Sequence, residues 1–157
     1  FKDKAEMKEC IRCWNHILTK KGLRALPLRF QNENALIYVY RPSRLSVDLK
    51  DGMAKRLLKE RGYCTDTSER CVVHLIKRMC EYEEFPHEIG LFLGYPPEDV
   101  CGFIENKAGG CKCAGCWKVY GDEEAAKKTF AKYKKCSDVY ALQYANGRSV
   151  ERLTVAG

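Results

Sequence analysis

The sequence predicts one mixed α/β domain over residues 1–157, with about four strands in a single mixed sheet and five or six helices packed on it. Three observations support this fold class. The length and the shares of hydrophobic (45%) and charged (31%) residues are those of one globular domain. Apolar residues recur at helical spacing in several segments, and short apolar or β-branched runs lie between them. A hairpin is antiparallel and strands joined through helices tend to be parallel, so a mixed sheet is the simplest arrangement.

The first part of the chain is predicted to form a helix, a hairpin and a second helix. An apolar stripe at helical spacing predicts a helix over about residues 2–21. The runs Leu26–Phe30 and Ala35–Tyr40 are separated by four polar residues, which predicts an antiparallel β-hairpin. The apolar face of residues 53–58 predicts a further helix that ends at Gly62, because glycine adopts the left-handed conformation readily.

The second part is predicted to alternate helices and strands. Asp66 resembles the first residue of a capping box, and the apolar stripe after it predicts a helix. The nearly continuous apolar run Glu88–Gly94 predicts a buried central strand. A helix follows Pro96, a strand is expected over Trp117–Tyr120, and a long helix begins after Asp122.

The chain carries a formal net charge of +7, which could attract nucleic acid or an acidic protein. The densest basic set is spread around the predicted long helix: Lys127, Lys128, Lys132, Lys134 and Lys135. Such a distribution is more typical of a solvated helix face. A protein partner is therefore favoured over nucleic acid, and both stay open.

Ten cysteines in a chain long enough to build its own core indicate reduced thiols rather than a disulfide framework. No apolar run approaches the roughly 20 residues that a membrane span needs. The sequence therefore predicts a soluble cytoplasmic protein without a membrane partner. The chain begins at Phe1 rather than at methionine, from which we expect a natural N-terminal segment to be missing.

The Gly-rich loop with Cys111, Cys113 and Cys116 is the strongest chemical signal. A Cys-x-x-Cys knuckle lets two thiolates converge on one ion, and a third thiol two residues earlier could join them. Soft thiolate ligands favour zinc or an iron–sulfur cluster. The candidates for a fourth ligand are Cys101, Cys136, His87 and the Cys10–Cys13 pair.

Two other interpretations of this loop stay open. The three thiols could be small, partly buried groups in a tight turn, a role that cysteine fills well. Alternatively, Cys113 and Cys116 could form a reversible disulfide, although their position before a strand lacks the activating helix N-terminus. A small-molecule enzyme is a further alternative, in which His87 beside Glu88 at the predicted strand end acts as a base. The sequence lacks the glycine-rich nucleotide-binding motifs and the serine-hydrolase elbow, which disfavours those enzyme classes.

Two blocks, FPHEIGLFLGYPPEDV at residues 85–100 and WKVYGD at 117–122, together with YKKC at 133–136, resemble the bacterial domain-of-unknown-function family 3793. YVYRP at residues 38–42 also fits, so the resemblance covers nearly the whole chain. It implies an anaerobic bacterial origin and a further segment before the part that matches Phe1. That family has no established activity, so no catalytic residue or cofactor is implied. The leading hypothesis is a cysteine-based metal-binding or thiol-redox accessory protein, and the alternatives are an interaction module or a small-molecule enzyme.

Overall fold

The computed structural model describes residues 1–81 and 85–156. These residues form a mixed α+β fold with eight α-helices and two small antiparallel sheets of two strands each. The first elements are α1 (Lys4–Leu18), β1 (Arg24–Gln31), β2 (Asn34–Tyr40), α2 (Pro42–Asp48), α3 (Gly52–Glu60) and α4 (Ser68–Glu81). The later elements are α5 (Ile89–Phe92), α6 (Pro97–Glu105), β3 (Cys113–Ala114), β4 (Lys118–Val119), α7 (Glu123–Ala145) and α8 (Val150–Leu153).

The predicted four-stranded mixed sheet is wrong. In the described part of the chain, β1 pairs with β2 and β3 pairs with β4, both antiparallel, and no crossover joins the two pairs. The run predicted as a central strand instead contains the short buried helix α5. A continuous apolar run carries no period, so it does not distinguish a buried strand from a buried helical turn. There are also more helices than the five or six predicted, because α2 and α5 are too short to show periodicity.

The predicted N-terminal hairpin is confirmed. Its register runs from Arg24 opposite Tyr40 to Gln31 opposite Asn34. The two residues of the turn, Asn32 and Glu33, have φ values of 50° and 62°. Positive φ at both positions is the backbone of the two-residue turns that match strand twist. The polar segment between the two strands therefore forms a tight turn, as its composition indicates.

The described chain groups into two compact units. The first unit comprises Phe1–Gly94 with Ala156, and the second comprises Tyr95–Val155. In the first unit, Met7 and Ile11 of α1 pack with Ala25 of β1. The prediction of a single domain over residues 1–157 stays a prediction.

The described helices are each too short or too polar to cross a bilayer. The longest of them, α7, has 23 residues and carries five lysines.

Candidate functional site

Asp99, in the first turn of α6, is a buried carboxylate at the centre of the second unit. Its Oδ2 accepts a hydrogen bond from Nε1 of Trp117 at 2.6 Å. Its Oδ1 accepts from the backbone N–H groups of Tyr120 and Gly121, each at 2.7 Å. Because a buried carboxylate needs such donors, Asp99 fixes the segment around β4 onto α6. Hydrogen bonds to the Asp99 side chain thus connect the FPHEIGLFLGYPPEDV block at residues 85–100 with the WKVYGD block at 117–122.

An aromatic cluster continues this anchor to the start of α7. Trp117 stacks on Tyr95 with ring centroids 4.9 Å apart, and it meets Phe130 of α7 edge-on at 4.6 Å. Gly115, in the β3–β4 turn, lies directly against Phe130, where a Cβ would be 2.3 Å from the ring. A side chain at residue 115 would therefore displace the Phe130 ring, so the turn packs closely on the first half of α7.

The second half of α7 is uncovered. Every residue from Ala131 to Ala145 is exposed except Gln143, which is half-buried. One face of α7 carries residues at alternating steps of four and three along the whole helix. We call this face the α7 stripe: Ala126, Phe130, Tyr133, Ser137, Tyr140 and Tyr144. The stripe is buried or half-buried at its first two positions, whereas its three tyrosines are 47%, 42% and 63% exposed in chain order.

The five lysines of α7 lie around the boundary between its two halves, from Lys127 to Lys135. Lys127 and Lys134 border the stripe, and each forms an exposed ion pair one helical turn away, with Glu123 at 2.7 Å and with Asp138 at 3.2 Å. The other three lysines of the helix lie on the side away from the tyrosines and pair with no acidic group in the described part of the chain: Lys128, Lys132 and Lys135. From residue 125 to the end, the sequence has seven lysines and arginines against two acidic residues. The local surface is therefore strongly basic.

The three cysteines of the predicted metal loop are free thiols, with Cys111 and Cys113 half-buried and Cys116 exposed. Cys113 lies in β3 opposite Val119 and packs against the cluster around Trp117. Within residues 1–81 and 85–156, no three His, Cys, Asp or Glu side chains come together in a group that could hold a metal ion. The described residues therefore give no support to the predicted zinc or iron–sulfur site, which stays a prediction. The Cys-x-x-Cys spacing was compatible with a knuckle, but one of its thiols belongs to an extended strand.

Each of the three thiols lies near a different ionisable side chain. Burial, and then the neighbouring Cys116, raise the pKa of Tyr95. Burial, and then Cys111, raise the pKa of Tyr120. The pKa of Lys127 is raised chiefly by Glu123, with a smaller contribution from Cys113.

The other candidate ligands lie on separate elements. Cys101 is half-buried on α6 and Cys136 is exposed on α7. Cys10 is half-buried and Cys13 is exposed on α1. His87 is exposed in the turn before α5.

The predicted position of His87 at the end of a central strand is wrong, because that segment is helical. The neighbouring Glu88 is 1% exposed, and its Oε1 accepts a hydrogen bond from the Tyr63 hydroxyl and pairs with Nε of Arg78, both at 3.0 Å. Burial, followed by the charge of Glu88, raises the pKa of Tyr63 well above its ordinary value. Glu88 therefore anchors the first unit in the way that Asp99 anchors the second.

Sequence reasoning missed two features of this region. The partners of Asp99 lie 18 to 22 residues further along the chain, and no local pattern indicates them. The α7 stripe was visible as a four-three spacing, but such a stripe normally predicts burial rather than exposure. Only the structure shows where the buried part of the stripe ends.

Fold and site together define a small α+β protein whose two sequence blocks serve as internal anchors and whose lysine-rich helix α7 carries an exposed tyrosine face. The family described as "Protein of unknown function (DUF3793)" matches residues 1–154, so the chain belongs to this family. No curated protein and no solved structure matches the chain.

Proposed function

We propose that the protein is an interaction module of a reducing cytoplasm, and that the α7 stripe binds an acidic, helical protein partner. The observation that carries this proposal is the continuity of the stripe. It is packed against Trp117 at Phe130, and then it continues without cover through Tyr133, Tyr140 and Tyr144. Exposed apolar surface of this kind, rimmed by polar residues, commonly marks a protein interaction site.

The spacing of the stripe supports a helical partner. Alternating steps of three and four residues place side chains along one seam, which is the geometry of helices that pack along each other. Tyrosine is suited to such a seam because its ring buries a large area while its hydroxyl stays hydrated. Ser137 in the middle of the stripe leaves room for a larger partner side chain.

The charge of the surface supports an acidic partner. Lys127 and Lys134 border the seam, and their present ion pairs are exposed and therefore weak. Acidic residues flanking a partner's apolar seam could replace those pairs at little cost. Lys128, Lys132 and Lys135 add a field that attracts an acidic protein from a distance.

The same geometry disfavours two other occupants. Single-stranded nucleic acid is bound where aromatic rings and basic groups share one groove. Here the three unpaired lysines point away from the tyrosines. A second copy of the chain would bring two strongly basic helices together, so self-association is opposed by charge repulsion.

The test uses the full chain and a labelled synthetic peptide of four heptads, with leucine at the seam positions and glutamate beside them. We expect saturable binding at low salt, measured by fluorescence anisotropy, which weakens as salt is added. Tyr133→Ala and Tyr140→Ala should each weaken binding by about fivefold or more, since buried tyrosines are common anchors of interfaces. The matched control is Leu142→Ala, because Leu142 is 60% exposed on the opposite side of the same helix.

Several outcomes would overturn the proposal. One is the absence of binding at low salt, and another is equal binding of a peptide in which lysine replaces the glutamates. An equal effect of Leu142→Ala would remove the stripe as the site. Tighter binding of a single-stranded oligonucleotide would assign the face to nucleic acid. A dimer that Tyr140→Ala dissociates would assign it to a second copy.

The second candidate function is thiol redox chemistry in the Cys111–Cys116 loop. What supports it is an exposed thiol, Cys116, three residues after the half-buried Cys113, both of them free. Elemental analysis and a visible spectrum of protein purified without oxygen and without a histidine tag separate the possible outcomes. Redox chemistry is supported if the protein is metal-free and oxidised glutathione converts Cys113 and Cys116 into a disulfide with each other. About one zinc or iron per chain, lost in Cys113→Ser/Cys116→Ser, would support a metal site instead.

A further inference from the structure

The linker between α3 and α4 holds a thiol in a defined setting. Gly62, with a φ of 81°, ends α3, and the next residue, Tyr63, is buried. Cys64 follows and is exposed. Oγ1 of Thr67 accepts a hydrogen bond from the backbone N–H of Arg70 at 3.3 Å, at the beginning of α4. The linker is therefore fixed on both sides of Cys64, by a buried ring and by a helix cap.

Two charged side chains hold the Cys64 thiol. Its Sγ–H donates to Oδ2 of Asp66 at 3.1 Å. Nη1 of Arg70 lies 3.6 Å from the same sulfur and 2.8 Å from Oδ2 of Asp66. The hydrogen bond from Cys64, together with Arg70, lowers the pKa of Asp66, so this carboxylate is ionised near neutral pH. The accessible thiol thus lies between a guanidinium, which attracts the thiolate that exchanges with disulfides, and a carboxylate, which repels it.

A second thiol touches the same residue from inside. Sγ of Cys71 donates to the backbone carbonyl of Cys64 at 3.4 Å. Cys71 is 2% exposed in the first turns of α4. Burial, and then the nearby Cys64, raise the pKa of the Cys71 thiol. Residue 64 thus exposes its own thiol to solvent, while its backbone carbonyl contacts the buried thiol of Cys71.

We propose that Cys64 and Cys71 form a reversible disulfide by exchange with a low-molecular-weight disulfide, with Cys64 as the attacking thiol and Cys71 as the resolving one. In the first step the Cys64 thiolate attacks one sulfur of the small disulfide, so a mixed disulfide forms and one thiolate leaves. In the second step the Cys71 thiolate attacks Sγ of Cys64, and the second small thiolate leaves. The two protons lost by the cysteines end on the two released thiols, and the small disulfide is the species reduced.

The disulfide would change the linker more than the stability of the fold. A bond between residues 64 and 71 encloses only the linker and the first turn of α4, so it constrains little of the unfolded chain. The disulfide replaces the contacts of Cys64 with Asp66 and Arg70 and draws the exposed linker toward the core. The exchange is therefore a chemical activity of the first unit, and it is independent of the α7 stripe.

The test treats the full chain with oxidised glutathione and follows each cysteine by mass spectrometry of its peptides. In the wild type we expect a Cys64–Cys71 disulfide, detected as the loss of two hydrogens from a linked peptide. Cys71→Ser should stop at a stable glutathione adduct on Cys64. Cys64→Ser should leave Cys71 unmodified while the chain is folded. Arg70→Met should lower the yield of adduct at a fixed time.

Cys13, which lies on α1, is the control because its thiol is exposed like that of Cys64. The proposal is overturned if wild-type Cys64 accumulates a glutathione adduct without the linked product, or if Cys13 reacts as fast as Cys64. Circular dichroism shows whether Cys71→Ser folds, and Cys71→Ala serves if it does not. The wild-type result needs no variant, so a folding failure leaves the test decisive.

Discussion

The two halves of α7 follow the same helical spacing in opposite surroundings. In the first half, Ala126 is buried and Phe130 meets the ring of Trp117. In the second half, Tyr133, Tyr140 and Tyr144 continue the line without cover. The fold needs the stripe only as far as Phe130. The remainder therefore requires another explanation, and a docking surface supplies one.

The largest predicted effect concerns the anchor beneath the first half. Asp99→Ala leaves the Trp117 indole and two backbone N–H groups without their acceptor, so we expect a loss of about 3–5 kcal/mol in the free energy of unfolding. Urea unfolding followed by tryptophan fluorescence measures it. The control is Asp122→Ala, which removes only the cap of α7 and should cost about 1 kcal/mol. Equal losses in the two variants would show that Asp99 is no special anchor.

The next effect concerns the contact that positions α7. Gly115→Ala places a methyl group within 2.3 Å of the Phe130 ring, and we expect it to cost about 2–3 kcal/mol because the ring must move. The same substitution at Gly52, which has nothing within 4 Å of the added Cβ, should change stability by less than about 0.5 kcal/mol. Thermal unfolding compares the two variants. A neutral Gly115→Ala would mean that the turn does not hold the helix.

The second half of α7 should behave in the opposite way. Tyr140→Ala should change the free energy of unfolding by less than about 0.5 kcal/mol, because the exposed ring contributes little to the fold. Phe130→Ala should cost about 3 kcal/mol, as is usual for a packed aromatic ring. Chemical denaturation of both variants gives the comparison directly. A large loss in Tyr140→Ala would make the uncovered half part of the fold and would remove the reason for a partner.

The smallest predicted effect is a decrease in the free energy of unfolding at alkaline pH, caused by Tyr95 in the aromatic cluster. Burial, and then Cys116, raise the pKa of Tyr95. Because the folded state favours the protonated tyrosine, this group contributes its full stabilisation below the unfolded-state pKa of about 10. The contribution is lost as the pH rises through the folded-state pKa. Stability should therefore be constant near neutral pH and fall above about pH 10. Tyr95→Phe should make that fall shallower in denaturation curves measured at several pH values, and an unchanged slope would contradict the assignment.

Much of the secondary structure could be predicted because its signals are local. The N-terminal hairpin was visible from its polar turn between apolar or β-branched runs, α1 and α4 from their periodicity, and α7 from Asp122 at its start. Glu88–Gly94 could not be assigned correctly, since an unbroken apolar run shows only that the segment is buried. Pairing between β3 and β4 was missed because each strand has only two residues.

The candidate thiol sites were less predictable because they depend on where each cysteine side chain packs. The spacing of Cys111, Cys113 and Cys116 did not reveal that the Cys113 side chain packs against the Trp117 cluster. Conversely, no sequence motif links Cys64 to Cys71, yet the Cys71 thiol contacts the backbone carbonyl of Cys64. Side-chain contacts, rather than the density of cysteines, locate the candidate thiol site.

Hydrogen exchange of the full chain, with and without the glutamate-bearing peptide, tests the central claim most directly. We predict that backbone amides of residues 131–145 exchange faster than those of 123–130 in the free protein, because nearly all side chains of the second half are exposed. Addition of the peptide should slow exchange in residues 131–145 and leave the N-terminal hairpin unchanged. Protection confined to another segment, or no change at saturating peptide, would contradict the assignment of the α7 stripe as the docking surface.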